Sequence, residues 1–400
     1  MKTHYDTIIV GGGMAGLSAA HELVRRGTEV LLLEQFGLGH ERGSSAGPSR
    51  IFRLSQPLPE YARMASRSLH LWKTFEADYG TQLYWPTGLL DLGVAGTPEL
   101  AGIQANLTEQ GEDYDLLGAD ELAKRFPQWR PGDDWQAVFS PAAGILSPSL
   151  ILDLFAAMCR VLGATLLERT PVLHLDLSDP GAPQVHTRQG VFIAGKLVVA
   201  AGAWLGTLVP ELRPHFRVTQ EQVSFFRPHA PDLFASDRFP MFIHWQLPEV
   251  YGFPLFQLPG VKVGQHVSGP EVDPDARDFE PQEALEAQMH GFLARHLPQA
   301  AGPLMQTKTC LYTSTRRGDF VYDTHPASEQ VLLVSACSGA GFKFLPVHGE
   351  IIAEWCAGRR HHLLAPRFAL KTAMGSDLKT APPLQELVET DVSSIKEPRL

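Results

Sequence analysis

The chain has four cysteines, Cys159, Cys310, Cys337 and Cys356, and no C-x-x-C pair, so it signals neither a zinc site nor a disulfide framework. A reducing, cytoplasmic setting is the expectation. No apolar run approaches the ~20 residues that cross a bilayer. The apolar start at Tyr5–Val10 is broken by glycines, which argues against a signal peptide. Positive charge is in deficit. With 34 Lys and Arg against 44 Asp and Glu the formal charge is −10, which argues against a general nucleic-acid binder and leaves small molecules as partners. No internal repeat is evident. What remains is a chain of 400 residues, 44% hydrophobic and 20% charged, enough for more than one sizeable core.

The first thirty-four residues organise the rest. Tyr5–Val10 reads as a strand, and Gly11-Gly12-Gly13-Met14-Ala15-Gly16 matches G-x-G-x-x-G between that strand and a helix. Gly11 would allow the tight turn, Gly13 would let backbone approach a pyrophosphate, and Gly16 would let helix pack closely on strand. The helix end would then face the phosphates with its free N–H groups. Leu17, Ala20, Leu23 and Val24 mark its apolar face, Gly27 its stop, and Val30–Leu33 a buried strand ending at Glu34. A carboxylate there can bond ribose hydroxyls, which disfavours NADP and leaves NAD and FAD.

Further on, the Gly-, Ser- and Arg-rich stretch Gln35–Arg53 reads as a loop folded against a ligand. Tyr61, Met64, Ala65, Leu69, Trp72, Phe75 and Tyr79 recur at helical spacing and read as core contacts. A helix is expected over 148–162, with Ser147 as its cap. Short strands follow, including separate ones at 191–193 and 196–201, the latter central to the first sheet. A strand-rich block spans 218–266, a helix 281–297 and a strand 307–313, and a second strand–glycine–helix unit begins at Val331. Two helix N-termini would thus aim at one ligand, the second at Gly339–Gly341 beside a ring that becomes anionic. From about Met374 the periodicity is lost.

These residues carry a family resemblance over positions 5 to about 370. The chain resembles the flavoprotein amine oxidases related to monomeric sarcosine oxidase, N-methyltryptophan oxidase and pipecolate oxidase. The matching motifs are Gly11–Gly16 with Glu34, Gly43-Ser44-Ser45 to Arg53, Ala201-Gly202-Ala203-Trp204, Tyr251-Gly252-Phe253-Pro254, Lys262 with His266, Cys310-Leu311-Tyr312-Thr313, and Ser338-Gly339-Ala340-Gly341-Phe342-Lys343. The implied fold is α/β, α+β overall, with a Rossmann-like FAD-binding domain (1–82, 148–216, 320–372) interleaved with a strand-rich substrate domain (83–147, 217–319) and a tail (373–400).

The resemblance implies FAD held by Gly11, Gly13, Gly16, Glu34, Arg42, Ser44, Ser45, Arg50, Val172, Trp204, Gly339, Gly341 and Lys343, and covalently by Cys310, whose thiolate Lys308, Arg316 and Arg317 would favour. Arg53 and Lys343 would bind the substrate carboxylate, Lys262 would promote reaction with dioxygen, Arg50 would lie against the ring, and Tyr251, His266 and Tyr312 would line the cavity. The implied activity is oxidation of a secondary amino acid to an imine with dioxygen as acceptor, by a monomer. Ala46 and Ala340 stand where members commonly have histidine, and Pro48 replaces a more polar residue, so sarcosine itself is not assumed. The alternatives are a pipecolate-like or larger N-substituted substrate, an NAD-dependent dehydrogenase, or a nucleotide-binding module without catalysis. Pro398-Arg399-Leu400 faintly resembles a peroxisomal tail.

Overall fold

A computed structural model describes residues 2–374, so the tail expected over 373–400, with its Pro398-Arg399-Leu400 end, lies outside the described residues from 375 onward. The first sheet grows from the glycine-rich start. His4–Val10 lies between Val30–Leu33 and Gly190–Val199, and Thr165–Leu167 and Ser328–Ser335 extend the same parallel array. Unbroken apolar runs suit such strands because both sheet faces are covered. On one face the helices Met14–Arg25, Pro148–Val161 and Leu345–Cys356 bury Leu17, Phe155 and Ile352. On the other, Ile8, Leu31 and Leu197 pack against Leu205 and Leu212.

Several expected boundaries change for physical reasons. The strands expected at 191–193 and 196–201 are one strand, Gly190–Val199. Gly195 lies within it, and a Cβ there would stand 2.8 Å from the Asp6 carbonyl, so this glycine permits close strand packing without ending the strand. Ser147 does occupy the cap position, yet its hydroxyl accepts from Gln257 at 2.9 Å rather than capping the helix. The second glycine unit differs most. Ser338 and Gly339 take φ values of 40° and 71°, a 3-10 turn follows at Phe342–Phe344, and the α-helix begins only at Leu345. A Cβ on Gly341 would lie 1.7 Å from the Ala336 carbonyl. The glycines are therefore consumed in folding the turn back on its own strand rather than in opening the helix.

The second sheet runs in the order Leu304–Thr315, Phe216–Phe226, Val261–Gln265, Val250–Phe253, Met241–His244, Leu89–Val94, Trp135–Ser140, Asp115–Gly118. Period-two alternation gives it two different faces. Leu90, Leu92, Phe242, Val250, Val261 and Val263 face a core closed by Met289, Leu293 and Leu297 of the helix Glu283–His296 and the residue after it. The opposite face carries Tyr251, Phe253 and Lys262 toward the first sheet's glycine turns. A third sheet, absent from the sequence reading, joins Arg50–Phe52, Gly144–Leu146 and Tyr84–Pro86 and anchors the end of the Gln35–Arg53 loop. Its three-residue strands pair only with partners distant in sequence, Arg50 with Leu146 and Tyr84 with the same Leu146, which local patterning does not register.

The second glycine turn is held by distant groups. Ser18 donates to the Leu345 carbonyl, Trp72 Nε1 donates to the Lys343 carbonyl at 3.0 Å, and His348 Nε2 donates to the Gly341 carbonyl at 2.9 Å. Arg67 adds an ion pair with Glu350, Nε to carboxylate 3.0 Å, and His361 lies 3.7 Å from the same carboxylate. Burial opposes ionisation of Glu350, but hydrogen bonds from His361 and Arg67 prevail and bring its pKa down to about 2. A carboxylate depressed below its unfolded value of ~4.3 stabilises above that pH and loses the contribution as pH falls toward the folded value. Glu350→Gln is therefore expected to cost about 1–2 kcal/mol at neutral pH, discounted for partial exposure of the pair. Denaturant melts from pH 7 down to pH ~2 should show the two proteins converging below pH ~4; a gap independent of pH would mean that the contribution is not ionic.

Candidate active site

Where the inner face of the second sheet meets the first sheet's strand ends, a cavity of about 830 Å³ extends from Gly11–Ala15 to Arg53, Tyr251 and Lys343. At one end Gly11 has φ 108°, and a Cβ on it would stand 2.4 Å from the Ala200 carbonyl. Gly16 lies beneath, its missing Cβ 1.9 Å from the Gly11 carbonyl, so it permits the packing without facing the cavity. Gly13 has only Ser45 Oγ near its missing Cβ, at 3.0 Å. That oxygen accepts the Met14 N–H at 3.0 Å and so supplies the cap that Gly13 cannot. The buried Glu34 carboxylate accepts from the Gly12 N–H at 2.7 Å and the Phe36 N–H at 2.8 Å. Burial raises its pKa, but His40 and these two donors lower it further, so it stays ionised. Bare backbone, a helix N-terminus and a fixed carboxylate along one wall fit a dinucleotide.

The Gln35–Arg53 loop lies along this cavity and is pinned from inside. Arg50 donates to the carbonyls of Ser44 at 3.0 Å, Ala46 at 2.7 Å and Ser49 at 3.0 Å. Lys262 donates to the Ser49 carbonyl at 3.0 Å and to its hydroxyl at 3.1 Å. Arg42 sits 5.0 Å over the Phe36 ring, and Trp204 Nε1 donates to Asp275 at 2.7 Å. Val172, Ser44, Trp204, Gly339 and Gly341 also line the cavity.

At the far end the cations are buried among aromatic rings. Lys262 lies 4.3 Å from the Phe253 centroid, and burial followed by repulsion from Arg50 pushes its pKa well below the usual lysine range. Arg53 stacks 5.0 Å over Trp245 and donates to the Ser55 carbonyl; the rest of its fork has no protein acceptor among the described residues. Burial works against its charge, which the nearby Asp91 and Glu249 support. Lys343 donates to the Ala340 carbonyl at 2.6 Å, and burial, then Arg53, depress its pKa strongly. A planar fork beside an ammonium suits a carboxylate ligand. His266 and Tyr312 pack at 5.7 Å beside Tyr251 on the same wall.

Cys310 also lines the cavity, but its surroundings differ from those expected. Lys308 is paired with Glu41 at 2.8 Å, Arg317 lies 3.8 Å from Asp319, and Arg316 is exposed. Burial pushes the Cys310 thiol up, and the cations that oppose it are Arg50 and Lys262. Basic residues adjacent along the chain were the wrong set, because long side chains beyond a strand end turn to solvent or to nearby carboxylates. Cys337 shares the cavity, its sulfur accepting the Thr313 N–H at 3.5 Å, while Cys159 and Cys356 sit with the core and burial raises both thiols to about 12.

All the sequence-selected residues except Gly16, Arg316 and Arg317 thus line one cavity. Missed were Ser49, Asp91, Trp245, Glu249 and Asp275. Asp91 is fully buried and accepts Trp245 Nε1 at 2.9 Å, so it orients the indole on which Arg53 stacks. An acid inside the apolar run Leu89–Leu92 was its signal, and the period-two series Ile243, Trp245 and Glu249, Tyr251 was that of Trp245 and Glu249; Ser49 and Asp275 lie in loops and had none.

A family model described as FAD dependent oxidoreductase matches residues 6–355. Monomeric sarcosine oxidase of Bacillus sp. (strain B-0618) is 32% identical over 371 residues, 90% of this chain and 95% of that protein. N-methyl-L-tryptophan oxidase of Salmonella newport (strain SL254) is 29% identical, covering 89% of this chain and 95% of that one. Among solved structures, NikD, described as an unusual amino acid oxidase essential for nikkomycin biosynthesis, superimposes with a TM-score of 0.77 at 26% identity, over 89% of this chain and 94% of its own.

The Arg53 and Lys343 pair generates a binding prediction. Lys343→Met is expected to weaken small carboxylates by about 1.5–3 kcal/mol, the scale of a charge-assisted hydrogen bond, and to affect neutral amines much less. Titration followed by Trp245 fluorescence or cofactor absorbance measures both. Equal losses for the two ligand classes would assign Lys343 to the fold instead.

Proposed function

The chain belongs to the FAD-dependent oxidoreductase family, and on that premise we propose that it is an oxidase of N-methyl or other secondary amino acids, forming an imine and hydrogen peroxide. The family match sets aside the NAD-dependent alternative. One observation carries the substrate reading: a dinucleotide cradle opens without interruption into an aromatic chamber whose end holds Arg53 and Lys343. Residues 1–82, 148–216 and 320–372 form the cofactor domain in this reading, and 83–147 and 217–319 the substrate domain.

When bound, FAD supplies the two-electron acceptor that oxidises the C–N bond and returns the electrons to dioxygen. Gly11, Gly13, Glu34, Arg42, Ser44, Ser45, Val172 and Trp204 would hold it at one end and Gly339 and Gly341 at the other. Arg53 and Lys343 fix the substrate carboxylate, which also returns to Lys343 the counter-charge that burial beside Arg53 denies it. Tyr251, Phe253, His266 and Tyr312 exclude water, and this desolvation favours the neutral amine required for reaction. The substrate gives up a hydride equivalent from a carbon next to the amine nitrogen together with the N–H proton, and the resulting imine is then hydrolysed. Arg50, and Lys262 in its protonated form, would place positive charge where dioxygen acquires negative charge, without reorganisation of solvent.

Anaerobic mixing with an N-methyl amino acid is expected to bleach the flavin absorption band, and readmitted air to restore it. A stable band in the presence of every N-methyl amino acid tried would overturn the proposal. In the same stopped-flow experiment Lys262→Met should slow reoxidation far more than reduction; unchanged reoxidation would leave Lys262 as the anchor of Ser49 alone.

The covalent attachment is proposed at Cys310, with Arg50 and Lys262 as the cations that favour its thiolate. Acid-denatured protein should keep its yellow colour on a peptide containing Cys310, and Cys310→Ser should release free FAD. Recovery on a Cys337 peptide, or complete release from the unmodified protein, would refute the assignment.

A further inference from the structure

Resting on the reading above, we propose that Glu249 selects the substrate side chain, so that the preferred substrates are secondary amino acids bearing a second, cationic group distal to the reacting amine. The placement follows from strand alternation. Glu249 precedes the strand Val250–Phe253 and shares the face of Tyr251 and Phe253, and all three line the cavity. Its position is fixed, because the His266 N–H donates to the Glu249 carbonyl at 2.9 Å. The turn before it reaches solvent, with Leu247 75% exposed, and Glu249 itself is half-buried.

Its chemistry is unspent. The other acids of this cavity have partners: Glu34 holds the Gly12 and Phe36 N–H groups, Asp275 holds Trp204, and Glu41 holds Lys308. The Glu249 carboxylate has neither a hydrogen bond nor an ion pair among the described residues. Arg53 lies close enough to feel its charge, yet turns its fork to the Ser55 carbonyl and the Trp245 face. Among the described residues the chamber end therefore offers two cations for a carboxylate and, apart from them, one free anion. That anion does not suit the reacting amine, since a neighbouring carboxylate would keep the amine protonated. It suits a cation further along the side chain, whose charge it pairs in a partly desolvated setting.

The test compares kcat/KM of the holoenzyme on Nα-methyl-lysine and Nα-methyl-norleucine, which share chain length and differ in the cation, and on Nα-methyl-glutamate. The native protein is expected to prefer the lysine derivative over the norleucine derivative by about ten-fold or more. Glu249→Gln should collapse that ratio toward one, and Glu249→Lys should shift preference toward the glutamate derivative. A native ratio near one, or a ratio that survives Glu249→Gln, overturns the proposal. Should none of the three be oxidised, ligand binding still decides Glu249. Perturbation of the flavin spectrum by 6-aminohexanoate should then exceed that by hexanoate, and the difference should vanish in Glu249→Gln; no difference in the native protein refutes the role.

Discussion

Burial of positive charge without a matching carboxylate is the constraint on which this structure turns. Arg53, Lys262 and Lys343 are each less than a tenth exposed and none makes an ion pair with an acidic side chain among the described residues. An unpaired buried charge is costly, and the protein offsets the cost with backbone carbonyls and aromatic faces. The Ser49, Ala340 and Ser55 carbonyls accept hydrogen bonds from the cations, and the Phe253, Phe344 and Trp245 rings lie beneath them. These partners compensate incompletely, which leaves the chamber prepared for an anion.

The architecture serves that arrangement. The first sheet ends in two glycine turns that approach one another, and the second sheet closes over them with a face whose alternate residues are functional rather than apolar. Lys262 joins the layers directly, since it belongs to the second sheet and donates to Ser49 in the loop that leaves the first. Arg50 pins the same loop from within. Loss of either cation would therefore alter the shape of the cofactor wall as well as its charge. The second turn depends likewise on Trp72, Ser18 and His348, none of which touches a ligand in this reading. His348 is wholly buried, and burial lowers its pKa to about 4, consistent with a neutral ring that donates from Nε2 to Gly341 and accepts from Tyr322 at Nδ1.

Much of this was legible in local pattern. Strand, glycines, helix, strand and acid followed one another at fixed spacing, and each glycine had a steric duty that no other residue performs; the contacts at Gly11 and Gly16 bear this out. The motif residues from Glu34 to Lys343 converge on one cavity because strand ends of the parallel sheet share one edge and the inner face of the second sheet, with Tyr251, Lys262 and Cys310, closes over it. The cations near Cys310 were misread. Neighbours along the chain suggested Lys308, Arg316 and Arg317, whereas the groups that face the thiol come from other strands.

The sequence by itself determined the nucleotide-binding start, the apolar strands and helices, and the set of residue types available for chemistry, since these depend on contacts within a turn or a strand. Only the tertiary structure decided that Asp91 lies beneath Trp245 and Arg53, that Gly339–Gly341 folds back before its helix begins, and that Glu249 faces the cavity without a partner among the described residues. Those outcomes depend on which side chains from distant segments compete for each carbonyl, ring and carboxylate, and that competition is settled only when the sheets close on one another.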